Sequence, residues 1–232
     1  MTPRILGTAL ACALGAVTML DLGTPADAVG ATATCQGQPA TIADTTGDPV
    51  PGTPGDDVIV ATGPVDAGGG DDVVCASHAS GGDGNDQLYG GPDADVLDGD
   101  RGADIIHGRG GADELTGGGG PDTIVAGGGD DAVASGRGAD LVRLGAGADW
   151  LTAGAEPDTG YGDNGRDHLK MGNGDDLAHG GGGRDNVRGQ RDDDTLYGDE
   201  ANDYLHGGAG HDTGYGGAGQ DRLSATIEEP RQ

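Results

Sequence analysis

Phenylalanine is missing from this chain, tryptophan occurs once, and lysine and arginine together number only 12 of 232 residues. Without large rings a globular core loses its main contributors of buried area, roughly 150–250 Å² for each aromatic side chain. Leucine, isoleucine and valine number 36 and do not make up the shortfall. Together with a net charge of −28, this composition falls where a chain cannot bury enough apolar surface to fold unaided. So few basic groups also exclude nucleic acid and anionic membrane as direct partners, because both would be repelled unless cations intervened. Either the chain is unfolded, or cations acting on its 40 acidic side chains close the gap.

Cysteine is scarce too. Cys12 lies in an uncharged, mostly apolar run at residues 5–20, which follows Arg4 and precedes Ala26-Asp27-Ala28. This is the order of a secretory signal with a small-residue cleavage site, so residues 1–28 are expected to be a signal peptide and the mature chain to start at Val29, outside the cell. Ala31-Thr32-Ala33 offers a second cleavage point. The run is slightly shorter than the roughly 20 residues of a membrane span, and an uncleaved anchor is the alternative. Cys35 and Cys75 remain as an even pair, which in an oxidising compartment reads as a disulfide, with two buried thiols as the alternative. Closing such a loop would contribute roughly 4 kcal/mol in the chain-entropy model.

What the chain does have is a repeat. Over residues 81–224 an aspartate stands at every ninth place without insertion: Asp86, Asp95, Asp104, Asp113, Asp122, Asp131, Asp140, Asp149, Asp158, Asp167, Asp176, Asp185, Asp194, Asp203, Asp212 and Asp221. With the aspartate as position six, glycine fills position two in 11 of 16 repeats and position four in 12, and position eight is Leu, Ile or Val in 13. The unit is G-G-x-G-x-D-x-U-x, with U aliphatic, and a fixed short period over this many copies is the signature of a solenoid.

Each position has a physical reason. Glycine-rich residues one to six can take the positive-φ conformations of a tight turn whose carbonyls face inward. Residues seven to nine form a short strand, on which alternation puts positions six and eight inside and seven and nine outside. Two repeats make one coil, so aspartates 18 residues apart, such as Asp86 and Asp104, stack on one edge. Stacked carboxylates repel unless a cation lies between them, and carboxylates with turn carbonyls form an all-oxygen shell that suits calcium rather than zinc or copper. Eight turns per edge leave seven gaps, so two edges offer at most about fourteen calcium sites. Fourteen divalent ions would nearly cancel the −27 that remains once Arg4, Asp21 and Asp27 leave with residues 1–28.

Gly82-Asp83-Gly84-Asn85-Asp86-Gln87-Leu88-Tyr89 and its successors resemble the hemolysin-type calcium-binding (RTX) repeat family. The resemblance covers residues 81–224. It implies a parallel β-roll with calcium between successive turns, and it makes ligands of the sixteen position-six aspartates and the turn carbonyls. The expected fold class is all-β, a right-handed parallel β-roll of about eight regular coils with an irregular N-terminal cap. Asp93, Glu156, Asp192 and Ala201 replace the position-four glycine, and Arg109 and Gln190 replace glycine at position two, so the turns at 189–194 and 198–203 are expected to bind least well. Many family members are exported by a one-step system that reads a C-terminal signal. Here an N-terminal signal is expected and 225–232 reads as a short tail, so the resemblance covers the repeat and not toxin activity.

In residues 29–80 the motif survives only as Gly55-Asp56-Asp57-Val58-Ile59-Val60 and Gly70-Asp71-Asp72-Val73-Val74-Cys75. This region is expected to be a disulfide-pinned cap with extra calcium sites at Asp57 and Asp72, since a solenoid end must cover its unpaired strand edges. No comparable cap is expected at the other end, where fraying or end-to-end self-association follows. Position nine of alternate repeats reads Tyr89, His107, Val125, Arg143, Tyr161, His179, Tyr197 and Tyr215, a ladder of rings on one outer face. Such a ladder either stabilises the sheet or docks a glycan or cell-envelope partner. Behind it the core position shrinks to Gly160, Ala178 and Gly214, which predicts a looser core there.

Catalytic signatures are lacking. The six histidines form no H-E-x-x-H set, Gly160-Tyr161-Gly162-Asp163-Asn164-Gly165 is followed by no helix and so is no dinucleotide site, and there is no G-x-S-x-G elbow. The sequence is read as that of a secreted, non-enzymatic protein whose roll folds on binding calcium. Two alternatives stay open: a surface adhesin or matrix component using the Tyr and His face, and an accessory to a cytolysin or extracellular enzyme.

Overall fold

The computed structural model describes residues 33–224 and 226–228. The expected signal peptide lies outside them. Among the described residues there is no helix, and the strands form an eleven-stranded and a twelve-stranded sheet in which hydrogen-bonded neighbours are always one coil apart in sequence. All pairings in the two sheets are parallel, with Thr123 opposite Leu141 and Val96 opposite Glu114, steps of 18 residues or two repeats. The chain is therefore a parallel β-solenoid.

Two expectations about the coils change. Between Val96 and Ala209 the strands are six or seven residues long rather than three: Thr123–Gly128 and Ala132–Arg137 run from position seven through position three of the next repeat. The ladder continues into the glycine segment, with Arg109 opposite Gly127, because turn stacks directly on turn as strand stacks on strand. The coils are also more numerous than eight, since residues 42–83 extend the same two sheets with shorter steps. Ile42 pairs with Ile59, Val58 with Val73 and Val73 with Gln87, steps of 17, 15 and 14 residues. The roll therefore has about ten coils, the first few irregular.

A two-stranded antiparallel hairpin, Thr34–Cys35 with Gln38–Pro39, precedes the first coil. It is tied down by the Cys35–Cys75 disulfide, Cα to Cα 5.7 Å. Cys35, Val73 and Cys75 form a buried cluster with Val58, Val60 and Tyr89 around it, separate from the main core. Val73 and Cys75 alternate along their strand with Val74, which belongs to the main core, so the hairpin is clamped on the outward side of the twelve-stranded sheet.

Between the sheets runs a core one aliphatic layer thick, in which Leu88, Leu97, Ile106, Leu115, Ile124, Leu151, Leu196 and Leu205 are completely or almost completely buried. Position one faces inward as well and adds Ala126, Leu144, Ala153 and Met171. This second inward position corrects the expectation of a loose core. A Cβ placed on Gly160 would lie 2.8 Å from Leu151 Cδ2 and 3.2 Å from Met171 Cε, so their side chains already fill the space that the missing one leaves. At Gly214 the filling comes from Ile227 and from Leu223, whose Cδ2 would lie 3.5 Å from such a Cβ. Ile227 also corrects the open C-terminal end: Ile227–Glu228 forms a last parallel strand and Ile227 packs on the main core.

On the outer face of the twelve-stranded sheet the predicted ring ladder is continuous over four coils. Tyr161, His179, Tyr197 and Tyr215 stack with successive centroid distances of 5.2, 4.3 and 4.7 Å, and the Arg143 guanidinium covers the outer face of Tyr161 at 4.8 Å. Tyr89 and His107 form a separate stack at 5.2 Å.

Because Met171 occupies the volume beside Gly160, the variant Gly160→Leu is expected to be less stable by about 1–3 kcal/mol through overpacking. The check is urea unfolding of the calcium-saturated protein, and an unchanged midpoint would mean that the space is open.

Candidate metal centres

The position-six aspartates form two buried ladders. Along one edge the order is Asp57, Asp72, Asp86, Asp104, Asp122, Asp140, Asp158, Asp176, Asp194, Asp212, and along the other Asp95, Asp113, Asp131, Asp149, Asp167, Asp185, Asp203, Asp221. Within each ladder every carboxylate after the first accepts at Oδ1 the backbone N–H of the aspartate one coil earlier, as in Asp86 N–H to Asp104 Oδ1 at 2.7 Å and Asp95 N–H to Asp113 Oδ1 at 2.9 Å. Asp57 and Asp72 join the first ladder by the same bond, at 2.7 and 2.8 Å, although their coils are shorter.

The second oxygen has no such bond. Oδ2 of Asp72, Asp86, Asp104, Asp113, Asp122, Asp131, Asp140, Asp149, Asp158, Asp167, Asp176, Asp185, Asp194, Asp203 and Asp212 is buried without a hydrogen-bond partner. A buried carboxylate oxygen left unpaired costs several kcal/mol, on the order of the penalties for uncompensated charge burial. Burial, opposed by the bond from the neighbouring N–H and aided by carboxylates above and below, pushes Asp104, Asp158 and Asp167 up to about 7 and Asp194 up to about 8. Each ladder holds a row of charges that cannot all be present without a cation.

The turns explain why each oxygen points where it does. Position two and position four take a left-handed backbone, as at Gly118 and Gly120 or Gly127 and Gly129, and this holds even where glycine has been replaced: Arg109 (φ 81°), Glu156 (74°), Gln190 (93°), Asp192 (74°), Asp199 (71°) and Ala201 (79°). A Cβ at Gly118 would strike the carbonyl of Asp100 one coil below, so the carbonyls stack coil upon coil on the same edges as the carboxylates. At position one, a Cβ on Gly99 would lie 2.5 Å from Asp104 Oδ2, and glycine there leaves room beside that oxygen. Among the described residues no group of three or more His, Cys, Asp or Glu side chains could hold a metal by itself. The donor set is therefore carboxylates plus backbone carbonyls, all oxygen, which fits a hard ion of flexible coordination.

Individual positions differ from the simple pattern. At Asp57 burial alone would raise the carboxyl, but bonds from Thr53 Oγ1 (2.9 Å), Thr53 N–H (2.8 Å) and Thr41 Oγ1 (3.1 Å) outweigh it and hold the group below its usual range. Both oxygens of Asp57 are thus occupied by protein donors, so this end of the ladder is closed by threonine. Asp95 Oδ2 accepts the Gly91 N–H at 2.7 Å in the turn that carries Pro92, the one repeat turn without the left-handed pair. The sequence singled out the turns at 189–194 and 198–203 as weakest, yet both keep the left-handed geometry. The turn whose shape departs is 90–95, a consequence of Pro92, whose fixed φ the spacing argument did not weigh.

A parallel β-roll with acidic, carbonyl-lined turns stacked on two edges defines a calcium-binding repeat protein. A family model for the RTX calcium-binding nonapeptide repeat matches residues 78–106, 107–142, 136–169, 161–196, 171–205 and 188–223, and the chain belongs to that family. Among solved structures it is similar to a hyperactive, Ca2+-dependent, beta-helical antifreeze protein from an Antarctic bacterium, with 21% identity and a TM-score of 0.38, covering 79% of this chain and 83% of that one. No curated protein sequence matches.

Two outcomes follow. In metal-free protein the raised carboxyl groups favour the coiled state while protonated and oppose it once ionised, so the contribution is present near pH 5 and is lost as pH rises through about 6–8. Stripped protein is therefore expected to show more strand signal by circular dichroism at pH 5 than at pH 8, whereas calcium, which needs the ionised form, should bind more weakly at pH 5. Separately, Ala201→Gly removes a Cβ from a left-handed backbone and should stabilise the roll by about 1 kcal/mol, read as a lower calcium midpoint. A higher midpoint would place the strain elsewhere.

Proposed function

We propose that this protein is a secreted calcium-dependent folding module, unfolded where calcium is scarce and assembled into the roll outside the cell. The observation that carries the reading is the row of buried Oδ2 atoms without partners. Calcium would be held by Asp72, Asp86, Asp104, Asp113, Asp122, Asp131, Asp140, Asp149, Asp158, Asp167, Asp176, Asp185, Asp194, Asp203 and Asp212, with Asp221 at the end of its ladder, together with turn carbonyls. Asp95 would be the weakest ligand and Asp57 none. When bound, the ion supplies positive charge between adjacent carboxylates, and nothing more is asked of it. The chain's own residues do the rest. Oδ1 fixes the spacing of the coils, the left-handed turn residues aim the carbonyls, and the position-eight side chains exclude water.

The coupling of folding to metal follows from the balance of terms. One or two inward side chains per nine residues do not offset the ordering of the backbone, at roughly 1–2 kcal/mol per residue, plus unpaired buried charge. Binding free energy is then folding free energy. Affinities of about 0.1–1 mM, usual for extracellular modules, would separate the two compartments. Enzymatic activity is not part of the proposal, since the described residues are used by the roll and its hairpin. The adhesin reading, which put a partner on the ring ladder, is weakened by the stacking of Tyr161, His179, Tyr197 and Tyr215, whose faces cover one another.

Trp150 provides the test. It stacks on His168 at 4.8 Å, and the two residues are one coil apart, so this contact exists only when coils are in register. Far-UV circular dichroism and Trp150 fluorescence should change together at millimolar calcium, should not follow magnesium at the same concentration, and should reverse with a chelator. Full strand signal in excess chelator at pH 8 would refute the coupling.

A further inference from the structure

Half of the chain's twelve basic residues are gathered in one place. Arg166, Lys170, Arg184, Arg188, Arg191 and Arg222 are all exposed and all lie on or beside the outer face of the eleven-stranded sheet in its last coils. Lys170 is directly opposite Arg188, and Arg188 opposite His206. A shallow groove of about 530 Å³ is lined by Trp150, His168, Lys170, Arg188, Arg191 and His206, and a second of about 200 Å³ by Arg166, Arg184, Tyr204 and Arg222 with the ladder carboxylates Asp185 and Asp203. They share His168 and Asn186, so the two form one band across the sheet.

In a protein of net charge −28 such a band stands out by what does not balance it. The Arg101–Asp83 and Arg143–Asp163 ion pairs and the His179–Asp199 contact all lie elsewhere. No acidic side chain occupies positions seven or nine on this face from Trp150 onward: the residues are Trp150, Thr152, His168, Lys170, Asn186, Arg188, Tyr204, His206, Arg222 and Ser224. The carboxylates at the neighbouring turn tips accept backbone N–H groups along the coil axis and form no ion pair with these six cations. Asp175 accepts the Asp193 N–H at 3.0 Å, Asp193 the His211 N–H at 2.8 Å, and Asp192 the Gly174 N–H at 3.2 Å. Six cations held close together repel one another, and an anionic partner removes that repulsion.

One aromatic face in the band is also free. Trp150 is 54% exposed; His168 covers one side of its indole, and the neighbour on the other side is Ala132, too small to cover it. This differs from the ring ladder on the opposite sheet, where Tyr161, His179 and Tyr197 are each covered on both faces. A flat apolar face beside a row of cations suits a sugar ring bearing a carboxylate or sulfate, with the C–H face on the indole and the anion on Lys170 or Arg188. Duplex DNA fits less well, because it carries one charge per roughly 1.7 Å and would extend past the band along a chain of net charge −28. An acidic glycan with one carboxylate per ring has wider charge spacing than duplex DNA, and a short segment satisfies the band.

We infer that the outer face of the eleven-stranded sheet, from Trp150 to Arg222, is a binding surface for an acidic polysaccharide. The inference rests on the calcium-loaded roll only in that the coils must be stacked, and the strand signal of the same sample separates a failure to fold from a failure to bind.

The experiment is a titration of the full chain in saturating calcium with a heparin-derived oligosaccharide, a short oligogalacturonate, neutral dextran and a thymidine oligonucleotide, read by calorimetry and Trp150 fluorescence. Saturable binding of one or both acidic oligosaccharides, weakened by salt and absent for dextran, is expected. Lys170→Glu with Arg188→Glu should lower affinity about tenfold or more through like-charge repulsion, and the milder pair Lys170→Gln with Arg188→Gln serves if charge reversal disturbs the strand signal. The control pair Arg101→Glu with Arg143→Glu makes the same change in net charge outside the band, Arg101 several coils away and Arg143 on the opposite sheet, and should leave affinity unchanged. Absence of binding to both acidic oligosaccharides by folded protein, an equal loss in the control pair, or preference for the oligonucleotide would each overturn the proposal.

Discussion

Successive regular coils of this protein are joined through an aspartate side chain on each edge. Its Oδ1 accepts a backbone N–H from the coil before, 2.7–3.2 Å away along both edges, while in fifteen cases Oδ2 is left buried and bare. The two oxygens have opposite consequences. One acts as a ruler, since it fixes the distance between coils and orients the carboxylate. The other is a debt of desolvation that no protein donor settles in those fifteen cases. A cation with several oxygen ligands is the simplest group that relieves all these oxygens at once, and the carbonyls stacked on the same edges complete its shell.

That constraint accounts for the chain's unusual composition. Position one is mostly glycine because a side chain there presses on Oδ2, and positions two and four favour glycine because the left-handed turn brings their Cα atoms over carbonyls of the coil below. Only position eight and an occasional position one remain for apolar packing. Where position eight lapses to Gly160, Met171 at position one takes over the volume, and where it lapses to Gly214, Ile227 does so from beyond the last repeat. The core is thin but continuous, and its thinness is a consequence of devoting the rest of the repeat to oxygen.

Much of this was legible from spacing alone. An aspartate every nine residues, glycines two and four places into each unit and an aliphatic two places after the aspartate were enough to infer parallel coils of two repeats, the two acidic edges, and which face carries Tyr161 and His179. The disulfide between Cys35 and Cys75 followed from parity and compartment. What the spacing did not disclose depends on three-dimensional neighbours. That position one faces inward appears only when strand and turn are seen as one six-residue ladder, and so the packing of Met171 beside Gly160 was missed. The fate of Asp57 depended on Thr53 in its own turn and on Thr41 from an adjacent coil of irregular length. Substituted turns such as Gln190 with Asp192 looked broken by composition, yet stacking on both sides imposes the left-handed backbone on them, whereas Pro92, with its fixed φ, resists it.

The two outer faces show how a repeat can serve a regular interior and still differ outside. Positions seven and nine have no part in the metal edges or the core, so their side chains are free to vary as long as neighbours one coil apart tolerate each other. On the twelve-stranded sheet the neighbours are rings, and rings at coil spacing satisfy one another by stacking. On the eleven-stranded sheet Lys170 and Arg188 are opposite neighbours of like charge, an arrangement that weakens pairing in a sheet. A stabilising role explains the first column and fails for the second. Like charges kept adjacent, with Trp150 uncovered beside them and the nearby carboxylates occupied along the coil axis, belong to a surface whose balancing charge arrives from outside the chain.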